Sequence, residues 1–152
     1  MQREWWAEDF EPGMEFRSPG MTLTEGQIID FAFQYDPQPF HTDAGAAAES
    51  IHGGLIASGF HTLGVLFRMW QSMAVMNPSS QGAPGIYDVK WLRPVRPGDT
   101  LHAVATVREN RRTSKRPNIH IITFDLEGYN QRGEKVASWW CPGMFLRDPA
   151  GD

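Results

Sequence analysis

Over residues 58–76 the chain carries Phe60, Leu63, Val65, Leu66, Phe67, Met69, Trp70, Met73 and Met76, which fall on nearly every side of a helix. A helix of that kind has no face suited to water and must be enclosed by other elements. The sequence after it supplies the enclosure. Residues 86–95, 100–109, 118–128 and 135–147 are four runs rich in β-branched and aromatic residues. Arg96-Pro97-Gly98-Asp99, the basic stretch 110–117 and Asn130-Gln131-Arg132-Gly133 separate them with turn chemistry. Consecutive strands joined by short turns read as an antiparallel meander, to which residues 15–23 can add a strand. One enclosed helix and one antiparallel sheet have a compact solution, an α+β arrangement in which the sheet curls around the long helix.

Local signals set the boundaries. Thr24 and Gln27 have the spacing of a capping box, and Ile28, Phe31, Ala32 and Tyr35 follow at helical intervals, so a helix is expected over 24–35. Pro37 biases Asp36 out of the α region and stops it. Ser58 is placed to cap the long helix, with Asn77-Pro78 marking its exit. Pro142-Gly143 inside the last run implies a bulge or an edge position, because proline cannot donate to a ladder.

At 152 residues the chain fits one domain, 1–152, able to bury roughly 70% of its unfolded surface without a staple. The lone Cys141 can make no internal disulfide and no structural zinc site, which suits a reducing cytoplasm. The start has acids where a secretory signal needs a basic and then apolar run, and no stretch approaches the roughly 18 apolar residues of a membrane span. A soluble, unprocessed, cytoplasmic protein is the expectation. Six tryptophans and nine phenylalanines exceed what one small core readily hides, so a homodimer or higher homo-oligomer is expected. The net charge of −4 argues against coating nucleic acid, yet eight of the 14 basic residues lie between Lys90 and Arg116. That asymmetry fits a compact anionic ligand or a solvated charged hairpin.

Tyr35-Asp36-Pro37-Gln38-Pro39-Phe40-His41-Thr42-Asp43 is the most unusual local sequence. Two prolines fix φ and force an extended or turned path, and a turn brings Asp36 and His41 to one pocket. A carboxylate and an imidazole placed together can share a water, one accepting its proton while the other orients or delivers a second. The competing reading has Asp36 capping a turn and His41 merely packed. The glycine-rich segment 52–59 then runs into the long helix, whose first amides are unpaired donors on the positive end of the dipole. Aimed at a carbonyl, they stabilise charge developing on its oxygen, and glycine at 59 admits close approach to the backbone. A plain tight turn is the alternative. Of the other histidines, His61 reads as a buried, hydrogen-bonded core residue, His52 as an exposed loop residue able to line the pocket, and His102 and His120 as solvent-facing. None has metal-ligand spacing, so no metal is expected. Cys141 reads as a packed thiol, and Asp43 as either a surface residue or an orienter of His41. Ser58 lacks the elbow of a nucleophile.

Phe31-Ala32-Phe33-Gln34-Tyr35-Asp36-Pro37-Gln38-Pro39-Phe40-His41 followed by Ile56-Ala57-Ser58-Gly59-Phe60 resembles the hydratase motif of MaoC-like dehydratases, and 90–101 resembles that family's strand ending in Pro-Val and a Gly-Asp turn. The resemblance implies a hot-dog fold working as a dimer, with Asp36 and His41 as the catalytic pair and the Gly59 amide holding the thioester oxygen. Gln38, Phe40, Ser58 and Phe60 would be substrate-binding, and Phe33, Phe40, Phe60 and Trp91 candidate walls of the acyl tunnel. Gln38 replaces the family's usual asparagine and Ser58 its frequent histidine; glutamine keeps both amide functions on a side chain one methylene longer. The implied reaction is that of an enoyl-CoA hydratase or 3-hydroxyacyl-CoA dehydratase without metal or redox cofactor, its acyl-CoA phosphates met by the basic region. A thioesterase and a non-catalytic acyl-CoA-binding subunit are the alternatives on the same fold.

Overall fold

In the computed structural model, which describes residues 1–151, the capping box forms as expected. The Gln27 N–H donates to Thr24 Oγ1 at 3.2 Å and the Thr24 N–H to Gln27 Oε1 at 2.9 Å. Helix α1 follows over Glu25–Tyr35 and buries Ile28 and Ala32. Two short helices then appear that apolar periodicity does not show, α2 over Pro39–Thr42 and α3 over Ala44–Glu49. Pro39 is the first residue of α2, where its missing N–H has no partner to lose. Asp43 caps α3 by accepting from the Gly45 and Ala46 amides, so its carboxylate serves that cap and does not orient His41.

The long helix α4 spans Gly59–Ser72 and stops short of Met76, because Ala74 takes the left-handed φ of 57° that closes a helix end. It lays Thr62, Val65, Leu66, Met69 and Trp70 on the sheet. Its opposite face leaves Phe60 and Phe67 exposed, so the chain does not enclose this helix on all sides as its composition suggested.

The sheet has β1 (Glu15–Arg17), β2 (Met21–Thr22), β3 (Tyr87–Trp91), β4 (Thr100–Arg112), β5 (Ile119–Tyr129) and β6 (Lys135–Leu146). Its order is β1-β4-β5-β6-β3, with β2 also on β4. Strands β4, β5 and β6 form the expected meander. The expected pairing of β3 with β4 does not occur: β3 crosses to the far edge beside β6, antiparallel to it. It is also shorter than residues 86–95, since Pro94 and Pro97 lack donors and the segment beyond Trp91 leaves the ladder as a crossover. That crossover is tied down where the Leu92 N–H meets Val136 O, the Ala57 N–H meets Val95 O and the Gly98 N–H meets Leu23 O. Residues 15–23 give two short strands on one edge of β4, broken at Ser18-Pro19-Gly20. Pro142 pairs regularly with Thr123 of β5, and β3 has already ended at Trp140, so the proline takes the edge option.

Ala103, Ala105 and Val107 of β4 and Ile122, Phe124 and Leu126 of β5 pack against α4. At Gly128 a β-carbon would stand 2.6 Å from Leu66 Cδ2, so the glycine lets the helix lie close to the sheet. Trp5, Phe10 and Phe16 close the far end against Trp70, Phe124 and Phe145. There Asn110 donates to the Ala7 and Phe10 carbonyls and its Oδ1 meets His120 Nδ1 at 2.7 Å. His120 is therefore buried rather than solvent-facing, and burial lowers its pKa. His102 is half-buried, stacked on Tyr129. Cys141 is packed as expected, with burial raising its pKa. Among the described residues no helix is long and apolar enough to cross a membrane.

Candidate active site

Pro37 and Pro39 bracket Gln38, and the chain between α1 and α2 turns tightly: the Gln38 N–H donates to Asp36 O at 2.8 Å and the His41 N–H to Gln38 O at 2.9 Å. The turn delivers Asp36 and His41 to one place, with His41 Nε2 and Asp36 Oδ2 3.2 Å apart. His41 is only 4% exposed. Its Nδ1 lies 2.7 Å from Ile56 O. A carbonyl can only accept, so Nδ1 carries a hydrogen and the lone pair of a neutral ring sits on Nε2, facing the carboxylate. Two acceptors at that distance hold a proton between them or jointly face a donor. A water in the cavity can donate to both.

Asp36 is positioned from two further sides. Gln38 Nε2 donates to Oδ1 at 2.8 Å and Ser58 Oγ to Oδ2 at 2.7 Å. Burial alone would raise its pKa; the Gln38 and Ser58 hydrogen bonds, joined by the charge and hydrogen bond of His41 when its ring is protonated, outweigh it and hold the carboxyl below its ordinary value. Asp36 is thereby kept ionised, as an acceptor.

The fully buried Ser58 is the N-cap of α4 by backbone, but its hydroxyl is spent on Asp36 and caps nothing. The first amides of the helix are left without an internal partner, as at any helix start. The Gly59 N–H is the first of them, and no hydrogen bond among the described residues uses it. The segment leading to it is fixed by the Ile56 N–H to Phe40 O and the Ala57 N–H to Val95 O. Asp36, His41 and Gly59 together line one cavity of about 430 Å³, with Gln38, His52, Ile56, Phe60, Trp91 and Arg93 among its walls. The arrangement can hold a carbonyl oxygen on a helix N-terminus and present a basic pair to a water beside it.

Several expected residues take other places. Phe40 packs edge-on against His41 at 4.5 Å and against His52, behind the cavity rather than on it. Phe33 is 66% exposed and away from it. Ser58 is not on the cavity and acts on Asp36 as a positioning group, while Gln38 both lines the cavity and donates to Asp36. His52, expected on an exposed loop, lines the cavity. His61 stacks flat on Phe31 at 4.6 Å, and its buried Nδ1 has no partner, so the expected hydrogen bond is not made. The basic region is not one patch. Arg93 lines the cavity and pairs with Glu134, and Arg96 holds His52 O. Arg108 is locked on Asp125, and Arg111, Arg112, Lys115 and Arg116 sit a strand length away around the β4–β5 hairpin. Leu92, Pro94 and Val95, which also line the cavity, were not expected there, because only the crossover of β3 carries them past the start of α4.

A family model for the MaoC-like domain matches residues 9–123. A MaoC-like dehydratase from Rhodospirillum rubrum, known from its crystal structure, is 35% identical and superposes with a TM-score of 0.85, over 95% of this chain and 98% of that one. A monoamine oxidase regulatory protein from Archaeoglobus is 32% identical with a TM-score of 0.88, over 98% of this chain and 99% of that one. At the level of fold alone, a Mycobacterium tuberculosis protein described as a double hotdog matches at 18% identity and a TM-score of 0.83, over 98% of this chain and 46% of that one. The curled sheet around α4 is thus a hot-dog fold.

Proposed function

The chain belongs to the MaoC-like domain family, and from that premise we propose that it is an enoyl-CoA hydratase, or in reverse a 3-hydroxyacyl-CoA dehydratase. The observation that carries this reading is the joint placement of His41 Nε2 and Asp36 Oδ2, 3.2 Å apart, on the cavity that also holds the unpaired Gly59 amide. The name of the Rhodospirillum rubrum relative supports the same chemistry.

A trans-2-enoyl thioester binds with its carbonyl oxygen on the Gly59 N–H. A water donating to Asp36 and His41 adds to the β-carbon. As its C–O bond forms, one water proton passes to the pair and the π electrons move onto the carbonyl oxygen, where the helix end stabilises the enolate. The enolate then takes a proton at the α-carbon from the pair. Dehydration is the same sequence reversed. Arg93, the basic residue on the cavity wall, is the one placed to meet the carrier's phosphates.

A homodimer fits this reading. The outer side of β3 is unpaired, and Ile86, Tyr87, Trp91 and Leu92 are exposed along it, an edge that proteins cover.

The test is a screen of short, branched and long enoyl-CoA thioesters with Asp36→Asn and His41→Gln as controls. Each substitution is expected to lower turnover by about 10²–10⁴-fold, the scale of positioned acid–base catalysis, with folding unchanged by circular dichroism. Full activity in both variants removes the assignment.

A further inference from the structure

Glycine at 59 was expected to admit the substrate to the helix backbone, but the structure gives that position another neighbour. A β-carbon built there would lie 2.5 Å from Nε1 and 2.9 Å from Cζ2 of Trp91. No side chain fits in that space while the indole stays. Trp91 is the last residue of β3, held in register with Ala137, and its ring meets Phe60 edge-to-face at 5.9 Å. Because Cα–Cβ bonds tilt toward a helix's N-terminus, the indole stands at the open rim of α4, on the wall of the cavity holding Asp36 and His41. It is 50% exposed, on the edge strand that a second copy is expected to cover, and outside the buried core, so packing within this chain does not account for a tryptophan here.

We propose that Trp91 is a specificity-determining wall at the carbonyl end of the site, restricting it to thioesters with no substituent on the α-carbon. The inference rests on the hydratase reading for where the carbonyl lies. With its oxygen on the Gly59 amide, the α-carbon is one bond from the carbonyl carbon, and a methyl group there competes with the indole for the same volume. Glycine at 59 is then required by the indole and not by the substrate, so positions 59 and 91 trade size.

The experiment compares kcat/KM for trans-2-butenoyl-CoA and its 2-methyl analogue in the wild type, Trp91→Phe, Trp91→Ala, Gly59→Ala and the Gly59→Ala/Trp91→Ala double variant. The wild type is expected to prefer the unbranched substrate by roughly 10–200-fold, the range one methyl group commands in a pocket. Trp91→Ala should lose most of that preference and Trp91→Phe, which keeps a ring on the edge strand, part of it. Gly59→Ala should lose activity, and the double variant should regain it relative to Gly59→Ala. An unchanged preference in both Trp91 variants, or no rescue in the double variant, overturns the wall. Calorimetric binding of butyryl-CoA and 2-methylbutyryl-CoA reads the wall without turnover. A wild type that binds but hydrates nothing refutes the hydratase reading, while discrimination in Kd that disappears in Trp91→Ala still upholds the wall. Equal Kd values for the two thioesters in the wild type refute the wall alone.

Discussion

At the scale of single residues, the site turns on how many groups converge on one carboxylate. Asp36 is ionised in the fold because Gln38 and Ser58 donate to it and His41 faces it, against the cost of burial. Its native pKa is depressed, so the stabilisation is present above the unfolded value of about 4 and is lost as pH falls through the lower native value. Ser58→Ala removes one donor. It should cost about 1.5–3 kcal/mol near neutral pH, the worth of a hydrogen bond to a charged group, and less in acid once Asp36 is protonated. Urea denaturation over a pH series descending from 7 checks this, and an NMR titration should show the Asp36 pKa rising in the variant. The sequence showed Asp36, His41 and Gly59 through their prolines and the helix start, which are local signals. It could not show that Ser58 serves the carboxylate, because that contact joins segments 22 residues apart, or that Phe40 backs His41 instead of lining the cavity, because that depends on how the short helix α2 is turned against the loop carrying His52.

At the scale of elements, the packing of α4 on the sheet is governed by one missing side chain. Gly128 of β5 lies under Leu66, which is fully buried. Gly128→Ala overpacks that contact and should destabilise the fold by about 1–3 kcal/mol in urea denaturation, with Leu66→Val in the same background recovering part of the loss. Helix α1 and the β4–β5–β6 meander were legible, since capping, turn chemistry and β-branched runs are read within a few residues. Strand β3 was not. Its choice of β6 over β4 depends on a crossover whose hydrogen bonds reach Val136, Leu23 and Ala57, and no run of sequence announces such partners. The end of β3 brings Trp91 to the site and the crossover after it brings Arg93.

For the whole molecule, the exposed edge of β3 and the open face of α4 explain why the aromatic content exceeds what one core hides. Sedimentation is expected to give a dimer, and Ile86→Glu with Tyr87→Glu, both on exposed side chains, should shift it toward monomer without unfolding it. In the proposed reaction the Asp36/His41 pair directs water to a β-carbon rather than to the thioester carbonyl. Turnover of trans-2-butenoyl-CoA in oxygen-labelled water distinguishes the two. Label in the β-hydroxyl of an intact thioester is the expected result; label in a free carboxylate, released together with the thiol, contradicts hydration.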